Sequence, residues 1–318
     1  MADGKAKTAA RTNGSRKALA LLSRKRTLYS TKRLVEAAKA HGLRPLVLDT
    51  LLCNLVLSKD SPKILYHDAV LPPVDVVLPR IGSSVTNYGL AVVSHLDLMG
   101  VPVLNAAAPI ARSRDKLRCL QMLTKAGIDI PRTVMAHDRA NVELLVEQVG
   151  GLPAIIKLIR GTQGVGVMIA STVQEVKTIV DTFWQLGEEI VIQEFIAESK
   201  GRDVRALVVG DRVVGAMRRK AKRGEFRSNL HRGGEGRLIE LPPAYTEVAV
   251  RAARVIGLEI AGVDLLEASG GPKIMEVNSS PGFEGLEKAT GQDIAGAIIE
   301  HAIAFAEARR ADGQRRNV

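Results

Sequence analysis

Aromatic residues are scarce in this chain, at 3% of 318 residues with a single tryptophan. The core must therefore be built from Leu, Ile, Val and Ala, which suits buried parallel strands covered by helices. The same scarcity removes the stacking platform that single-stranded nucleic-acid binding uses, and no specific DNA binding is expected. Cysteine is nearly absent. Cys53 and Cys119 lack CxxC spacing, so they read as small buried residues rather than a disulfide or a metal site. No run of about 18 apolar residues occurs, which argues against a membrane span. The apolar stretch at 18–22 is too short for a secretory signal, and a cytoplasmic protein is expected. No GxGxxG follows the first apolar strand, and no Gly-Lys-Ser/Thr ends a glycine loop. With no Ser-His-Asp set or reactive cysteine apparent, a covalent enzyme intermediate has no candidate. Acidic charge is also short, with 34 acids against 45 bases and a net charge of +11. That excess favours acidic partners such as nucleotides, carboxylate-rich peptides or RNA-bearing assemblies.

What is present reads as α/β. Lys5, Lys7, Arg11, Arg16 and Lys17 mark 1–17 as a basic tail, and Arg309, Arg310, Arg315 and Arg316 mark 306–318 as another. Strands at 18–22, 45–48, 74–78 and 101–104 alternate with helices at 31–41 and 88–99, implying a small parallel sheet in a unit of 18–111. Arg80 follows the third strand, where open α/β sheets bind ligands, although a solvated loop arginine is an equal reading. One helix is expected over 111–126, ending at Gly127. A lid subdomain of 112–190 then carries strands at 133–136, 154–159 and 167–170 with helices at 141–149 and 173–186. The strand at 190–196 opens a core of 191–305, with a hairpin at 203–217 and helices at 245–257 and 293–309.

Lys157 interrupts an apolar strand and needs an anionic partner or a route to water. Directly after it, Gly161, Gly164 and Gly166 lie within six residues. Such a loop lets backbone N–H groups approach a phosphate, although an ordinary hairpin turn reads the same way. The run 218–223 is strongly basic, and it is either a solvated face or a contact for phosphate and carboxylate. The hairpin of 263–267 and 272–277 is the centre of the chain. Glu276 and Asn278 are two apart and share a strand face, and Asp264 lies on the partner strand. Two carboxylates and an amide in an apolar setting suit magnesium sharing its sphere with phosphate oxygens. The alternative is an edge hairpin with its acidic face in water.

Seven stretches together resemble the RimK-type α-L-glutamate ligases of the ATP-grasp superfamily: LSRKRTLYSTKRL from Leu22, PRIGSSVTNYG from Pro79, ARSRDKLRCLQML from Ala111, IKLIRGTQGVGV from Ile156, FRSNLHRGG from Phe226, AGVDLL from Ala261 and MEVNSSPGFEGLEKATG from Met275. The resemblance covers about 18–305 and implies an ATP-grasp fold behind an N-terminal pre-ATP-grasp domain. It implies activation of a carboxylate as an acyl phosphate by ATP, followed by attack of the L-glutamate amine. By that resemblance Lys116 and Lys157 hold phosphates, with Gly164 and Gly166 in the lid loop. Glu194 and Phe195 read adenine, Asp203 holds ribose, and Arg227, Ser228 and Asn229 complete the nucleotide pocket. Asp264, Glu276 and Asn278 hold two Mg2+ or Mn2+ ions, and Arg219 and Arg227 serve the acyl phosphate. The implied acceptor is an acidic peptide or protein C-terminus, foremost that of a small-subunit ribosomal protein, or free poly-α-glutamate. The family also implies a homo-oligomer, often a tetramer. Rival expectations are a related ligase acting on a cofactor or an acidic amino-group carrier protein, and an ATP-regulated ribosome- or RNA-binding protein.

Overall fold

The computed structural model describes residues 16–136, 141–159, 166–222 and 234–315. The chain begins with β1 (Ala18–Leu22), α1 (Tyr29–Ala40) and β2 (Arg44–Leu48). A meander of β3 (Cys53–Val56), β4 (Lys63–Tyr66) and β5 (Ala69–Val70) follows, then β6 (Val76–Pro79) and α2 (Thr86–Leu98). The parallel sheet has the order β2-β1-β6. All five residues of β1 are buried because both of its faces are covered. Leu19 and Leu21 pack in one core with Leu34 of α1, while Ala20 and Leu22 pack in another with Val92 and Leu96 of α2.

Three features depart from the sequence expectation. The meander is invisible to periodicity because its strands are two to four residues long and mostly half-exposed. The strand expected at 101–104 shrinks to one parallel bridge, Val77 to Val103. Pro102 contributes only its carbonyl there, accepting from Val77 N at 2.9 Å. The single helix expected over 111–126 is two, α3 (Ala107–Arg114) and α4 (Lys116–Lys125). Asp115 lies between them at φ −83°, ψ 98°, and its carboxylate accepts from Arg118 N at 2.9 Å as the cap of α4.

The next sheet contains β7 (Thr133–Ala136), β8 (Ala154–Leu158), β9 (Val167–Ala170) and β10 (Ile190–Glu194), in the antiparallel order β7-β10-β8-β9. Helices α5 (Val142–Gln148) and α6 (Val173–Gln185) cover one face, burying Ala154, Ile156, Ile190 and Ile192. The opposite face carries Lys157 and Gln193.

The third sheet runs β13-β12-β11-β14-β15. Its strands are β11 (Arg202–Val209), β12 (Arg212–Lys220), β13 (Glu235–Leu238), β14 (Ile260–Ala268) and β15 (Gly271–Asn278). Helix α7 (Pro243–Ile256) covers its back, against Val204, Ala206, Val208, Val263 and Leu265. On the front, Leu207, Val209, Met217 and Ile260 join the core of the first unit through α8 (Glu284–Thr290) and α9 (Ile294–Arg315). The front face is therefore apolar at one end and charged at the other.

Helix α9 continues past Arg309 to Arg315, into the stretch read as a basic tail. Arg310 pairs with the buried Asp75, and Lys17 pairs with Glu307 at 2.6 Å, so these charges anchor the helix to the first sheet. Residues 1–15 and 316–318 lie outside the described residues. A second anchor is Asn105. It donates to Ile260 O at 2.8 Å and Ser279 O at 3.2 Å, and accepts from Glu259 N at 2.8 Å and Ile260 N at 3.0 Å. Four backbone groups at the start of β14 and just past the end of β15 are thus satisfied by one side chain of the first unit.

Candidate active site

The front of the β14–β15 hairpin brings Asp264, Glu276 and Asn278 to one face. Asp264 stands directly opposite Glu276, and Gly262 opposite Asn278. A bulge arranges this, because Leu265 pairs with Ile274 and leaves Met275 as the extra residue. Ile274 and Val277, three apart, can then both enter the back core while Glu276 and Asn278 face forward. Gly262 is required locally: a Cβ there would meet Pro281 Cβ at 2.7 Å, so the 279–282 turn folds directly over it.

The two carboxylates have opposite surroundings. Glu276 is exposed and accepts no hydrogen bond among the described residues. Asp264 is 3% exposed. It takes both prongs of Arg205 at 2.7 Å and one from Arg219 at 2.9 Å. Burial pushes its carboxyl up, but the two guanidiniums outweigh that and hold it at about 2. Arg219 grips Asp203 at the same time, at 2.6 and 2.7 Å. Asp203 and Arg219, expected in separate roles, thus share one buried network. Strand alternation separates the basic run. Arg219 faces the front, while Arg218 points back to Glu267, at 2.6 Å.

A carboxylate offers about four lone-pair sites, and the three contacts on Asp264 leave one. Together with the uncommitted Glu276 carboxylate and the Asn278 amide oxygen, which accepts Ser280 N at 2.9 Å, the donor set is all hard oxygen. It therefore fits a magnesium-type cation. No three His, Cys, Asp or Glu side chains converge among the described residues, so the third donor is the amide.

Across from the hairpin are the two lysines. Lys157 Nζ donates to Gln193 Oε1 at 2.6 Å, and Gln193 donates on to Thr133 Oγ1 at 2.8 Å. The partner that the strand position demanded is thus a neutral amide, not a carboxylate. Burial pulls the Lys157 ammonium down to about 8, with Glu276 opposing and Lys116 adding to the fall. Lys116 Nζ donates to Leu158 O at 3.3 Å, and burial lowers it too, against Glu276. Glu276 therefore acts on side chains from two other elements. Gly166 closes the loop after β8, with φ +73° and its carbonyl accepting Leu158 N at 3.0 Å. A Cβ on Gly166 would meet Leu158 Cδ1 at 2.5 Å. At the end of β10, Glu194 accepts from Arg132 N at 3.0 Å and Lys273 Nζ at 3.4 Å, which ties the second sheet to the third. Phe195 follows it, half-buried. Gly161, Gly164, Arg227, Ser228 and Asn229 lie outside the described residues.

Three further residues belong to the site. Arg205 holds Asp264, and Gln193 holds Lys157. Arg114 lies within the field of Glu276. A continuous helix would turn Arg114 and Lys116 about 200° apart, and the break at Asp115 lets both face Glu276. Arg80, half-buried, donates to Pro281 O at 2.6 Å, so it is not the solvated loop residue of the alternative reading.

Comparison with known proteins agrees with this layout. A family model described as the RimK-like ATP-grasp domain matches residues 113–302, and one described as the RimK PreATP-grasp domain matches 18–110. A probable alpha-L-glutamate ligase of Vibrio vulnificus (strain YJ016) is 49% identical over 282 residues, covering 89% of this chain and 94% of its own. One from Chromohalobacter salexigens is 50% identical over 283 residues, with the same coverage of 89% and 94%. Among solved structures, the ATP-grasp ligase PsnB complexed with minimal precursor, Mg and ADP aligns with a TM-score of 0.70 at 21% identity, over 91% of this chain and 98% of that one. At that identity the likeness is one of fold.

Proposed function

The chain belongs to the RimK family of ATP-grasp ligases, and on that premise we propose that it joins L-glutamate to an acceptor carboxylate through an acyl phosphate. The acceptor is the C-terminus of a small-subunit ribosomal protein or a growing poly-α-glutamate chain, and a homotetramer is the expected assembly. One observation supports this reading above the rest. Glu276 on one sheet acts electrostatically on Lys157 on a second and on Lys116 on α4. These three groups have the charges to meet a triphosphate and a cation.

In this reading Lys116 and Lys157 hold the phosphates of ATP, and Gln193 fixes where the Lys157 ammonium points. Glu194 and Phe195 flank adenine, Asp203 lies at ribose, and Arg227, Ser228 and Asn229 close the pocket. Asp264, Glu276 and Asn278 would hold Mg2+ or Mn2+, two ions by family likeness, with Arg205 and Arg219 keeping Asp264 charged. The solved PsnB complex contains Mg and ADP. When bound, such a cation neutralises charge developing on the transferred phosphoryl group. The acceptor carboxylate attacks the γ-phosphorus in line, and ADP leaves. Arg219 and Arg227 are assigned to the resulting acyl phosphate, which the glutamate amine attacks to release phosphate and leave an amide.

Product mass spectra after incubation with ATP, magnesium, L-glutamate and an acidic-tailed peptide test this directly. Glutamyl ladders on the peptide, or free glutamate ladders without it, are the expected products. ADP release without either product would move the acceptor elsewhere, and no ADP at all would sink the ligase reading.

The Lys157 assignment has its own pH signature. In the nucleotide-free protein the ammonium is lost as pH rises through about 8. A phosphate stabilises the charged form, so binding takes up a proton above that pH. ATP affinity should then fall by up to about tenfold per pH unit between pH 8 and 9.5. Lys157→Met should bind more weakly with a flatter profile. Calorimetric titrations across that range decide it, and a flat wild-type profile would take Lys157 off the phosphates.

A further inference from the structure

The third sheet carries a second concentration of charge, on the face away from Asp264 and Glu276. Residues directly opposite each other on antiparallel strands share a face, as do residues two apart on one strand. Arg202 stands opposite Lys220, and Arg218 opposite Arg237. All four therefore lie on the back of the sheet, while the pair between them, Asp203 and Arg219, lies on the front. Like charges directly opposite each other destabilise a sheet, and here the arrangement occurs twice in neighbouring positions. The nearby acids offset little of it. Glu267 holds Arg218 at 2.6 Å. Glu235 approaches Arg237 at 3.9 Å, with both side chains exposed. Lys220 and the neighbouring Lys200 and Lys222 form no ion pair among the described residues.

These six cations line one open groove of about 690 Å³, next to the part of the back face that α7 covers. That is the size range of ligand-binding clefts. Ala197, Ala221, Leu238 and Ile239 supply an apolar wall, and Leu238 is 54% exposed. Among the described residues no acidic and no aromatic side chain lines the groove. It therefore offers cations and aliphatic surface, but no platform on which bases stack. A glutamyl chain matches both parts, with two methylenes per side chain for the wall and a carboxylate beyond them for the cations. In an extended chain, alternate carboxylates repeat every two residues, about 6.6 Å, as Arg218 and Lys220 do along β12.

We infer that this groove is an exosite for the acidic tail of the acceptor, holding glutamyl residues well behind the end that is extended. This rests on the ligase reading above and adds a second place where the same substrate is held, on the opposite face of the sheet. Packed layers lie about 10 Å apart, so a chain passing from the front around the sheet to the back travels roughly 20–25 Å, about seven extended residues. Short acceptors therefore reach the catalytic face alone, and longer ones reach both faces. Single exposed ion pairs contribute little, but several on one tethered chain act together.

Dye-labelled glutamate peptides of about three and about fifteen residues would be titrated by fluorescence anisotropy, without ATP, against wild type and a Lys200→Glu, Arg237→Glu double variant. The unlabelled peptides would then serve as acceptors in ADP-release kinetics. Wild type should bind the long peptide at least about tenfold more tightly than the short one, with KM lower by a similar factor. The double variant should lose that advantage, while kcat on the short peptide and KM for ATP stay within about twofold of wild type. Its melting temperature should match or exceed wild type, since crowded like charges are relieved. Equal wild-type affinity for both lengths, or an advantage kept in the double variant, would overturn the exosite. So would an RNA oligonucleotide of about fifteen nucleotides that displaces the labelled long peptide at lower concentration than the unlabelled peptide does, since the groove would then belong to nucleic acid. Length-dependent binding that the double variant loses, with no ADP released on any acceptor, would support the acidic-peptide groove and sink the ligase reading alone, because the titration needs no turnover.

Discussion

Glu276→Gln is expected to cost at least about a hundredfold in turnover and almost nothing in stability. The side chain is exposed and accepts no hydrogen bond among the described residues, so glutamine breaks no hydrogen bond of the fold. The charge is what changes. Glu276 opposes the burial of Lys116, Lys157 and Arg114. Without it the site becomes more positive, so binding of ATP alone should hold or tighten while magnesium dependence weakens. ADP release at graded magnesium, alongside urea unfolding, separates the two effects. Full activity at ordinary magnesium would take Glu276 out of the cation site.

Asp264→Asn is expected to lose both activity and stability. Its carboxylate compensates Arg205 and shares Arg219 with Asp203. An amide would leave the half-buried Arg205 without its counter-charge and weaken the buried Arg219 network, a loss of up to about 3–5 kcal/mol, the usual cost of breaking a buried pair. The pH dependence has a definite sign. A carboxyl held at about 2 when folded, against about 3.9 unfolded, contributes stability that is complete above pH 4 and lost as pH falls towards 2. The asparagine variant should lack that acid limb. Urea midpoints at pH 7 and pH 3 measure it. An equally stable variant at pH 7 would mean that the arginines find other partners, and the network argument would fail.

The contrast between these acids marks what the sequence can and cannot reveal. Period-two spacing was enough to place Glu276 and Asn278 on one face and Asp264 across from them. It could not reveal that Asp264 is buried against Arg205 while Glu276 stands in the open. That difference depends on β11 lying beside β14, a pairing between residues about 60 apart in sequence. Lys157 was visible as a charge inside an apolar strand, but its partner Gln193 was not, because it comes from β10. Arg114 was hidden by the helical periodicity of its own segment. The only local cue was Asp115 four residues after Ala111, a capping residue inside an apparent helix. The short meander at 53–70 had too few alternating positions to be read.

Helix α9 packs back on the first sheet. Leu19, Leu21 and Leu34 share a core with Ile298, Ile299 and Ala302 of α9, and Phe283 lies in the same cluster. During synthesis the parallel sheet emerges first with α1 on this face, yet the rest of the face is covered only when α9 follows, about 200 residues after β6. A nascent chain stopped before α9 would carry that apolar face only partly covered, by α1, a state in which aggregation and chaperone capture compete with folding. The N-terminal unit is therefore a segment whose packing is completed only once α9 has been made.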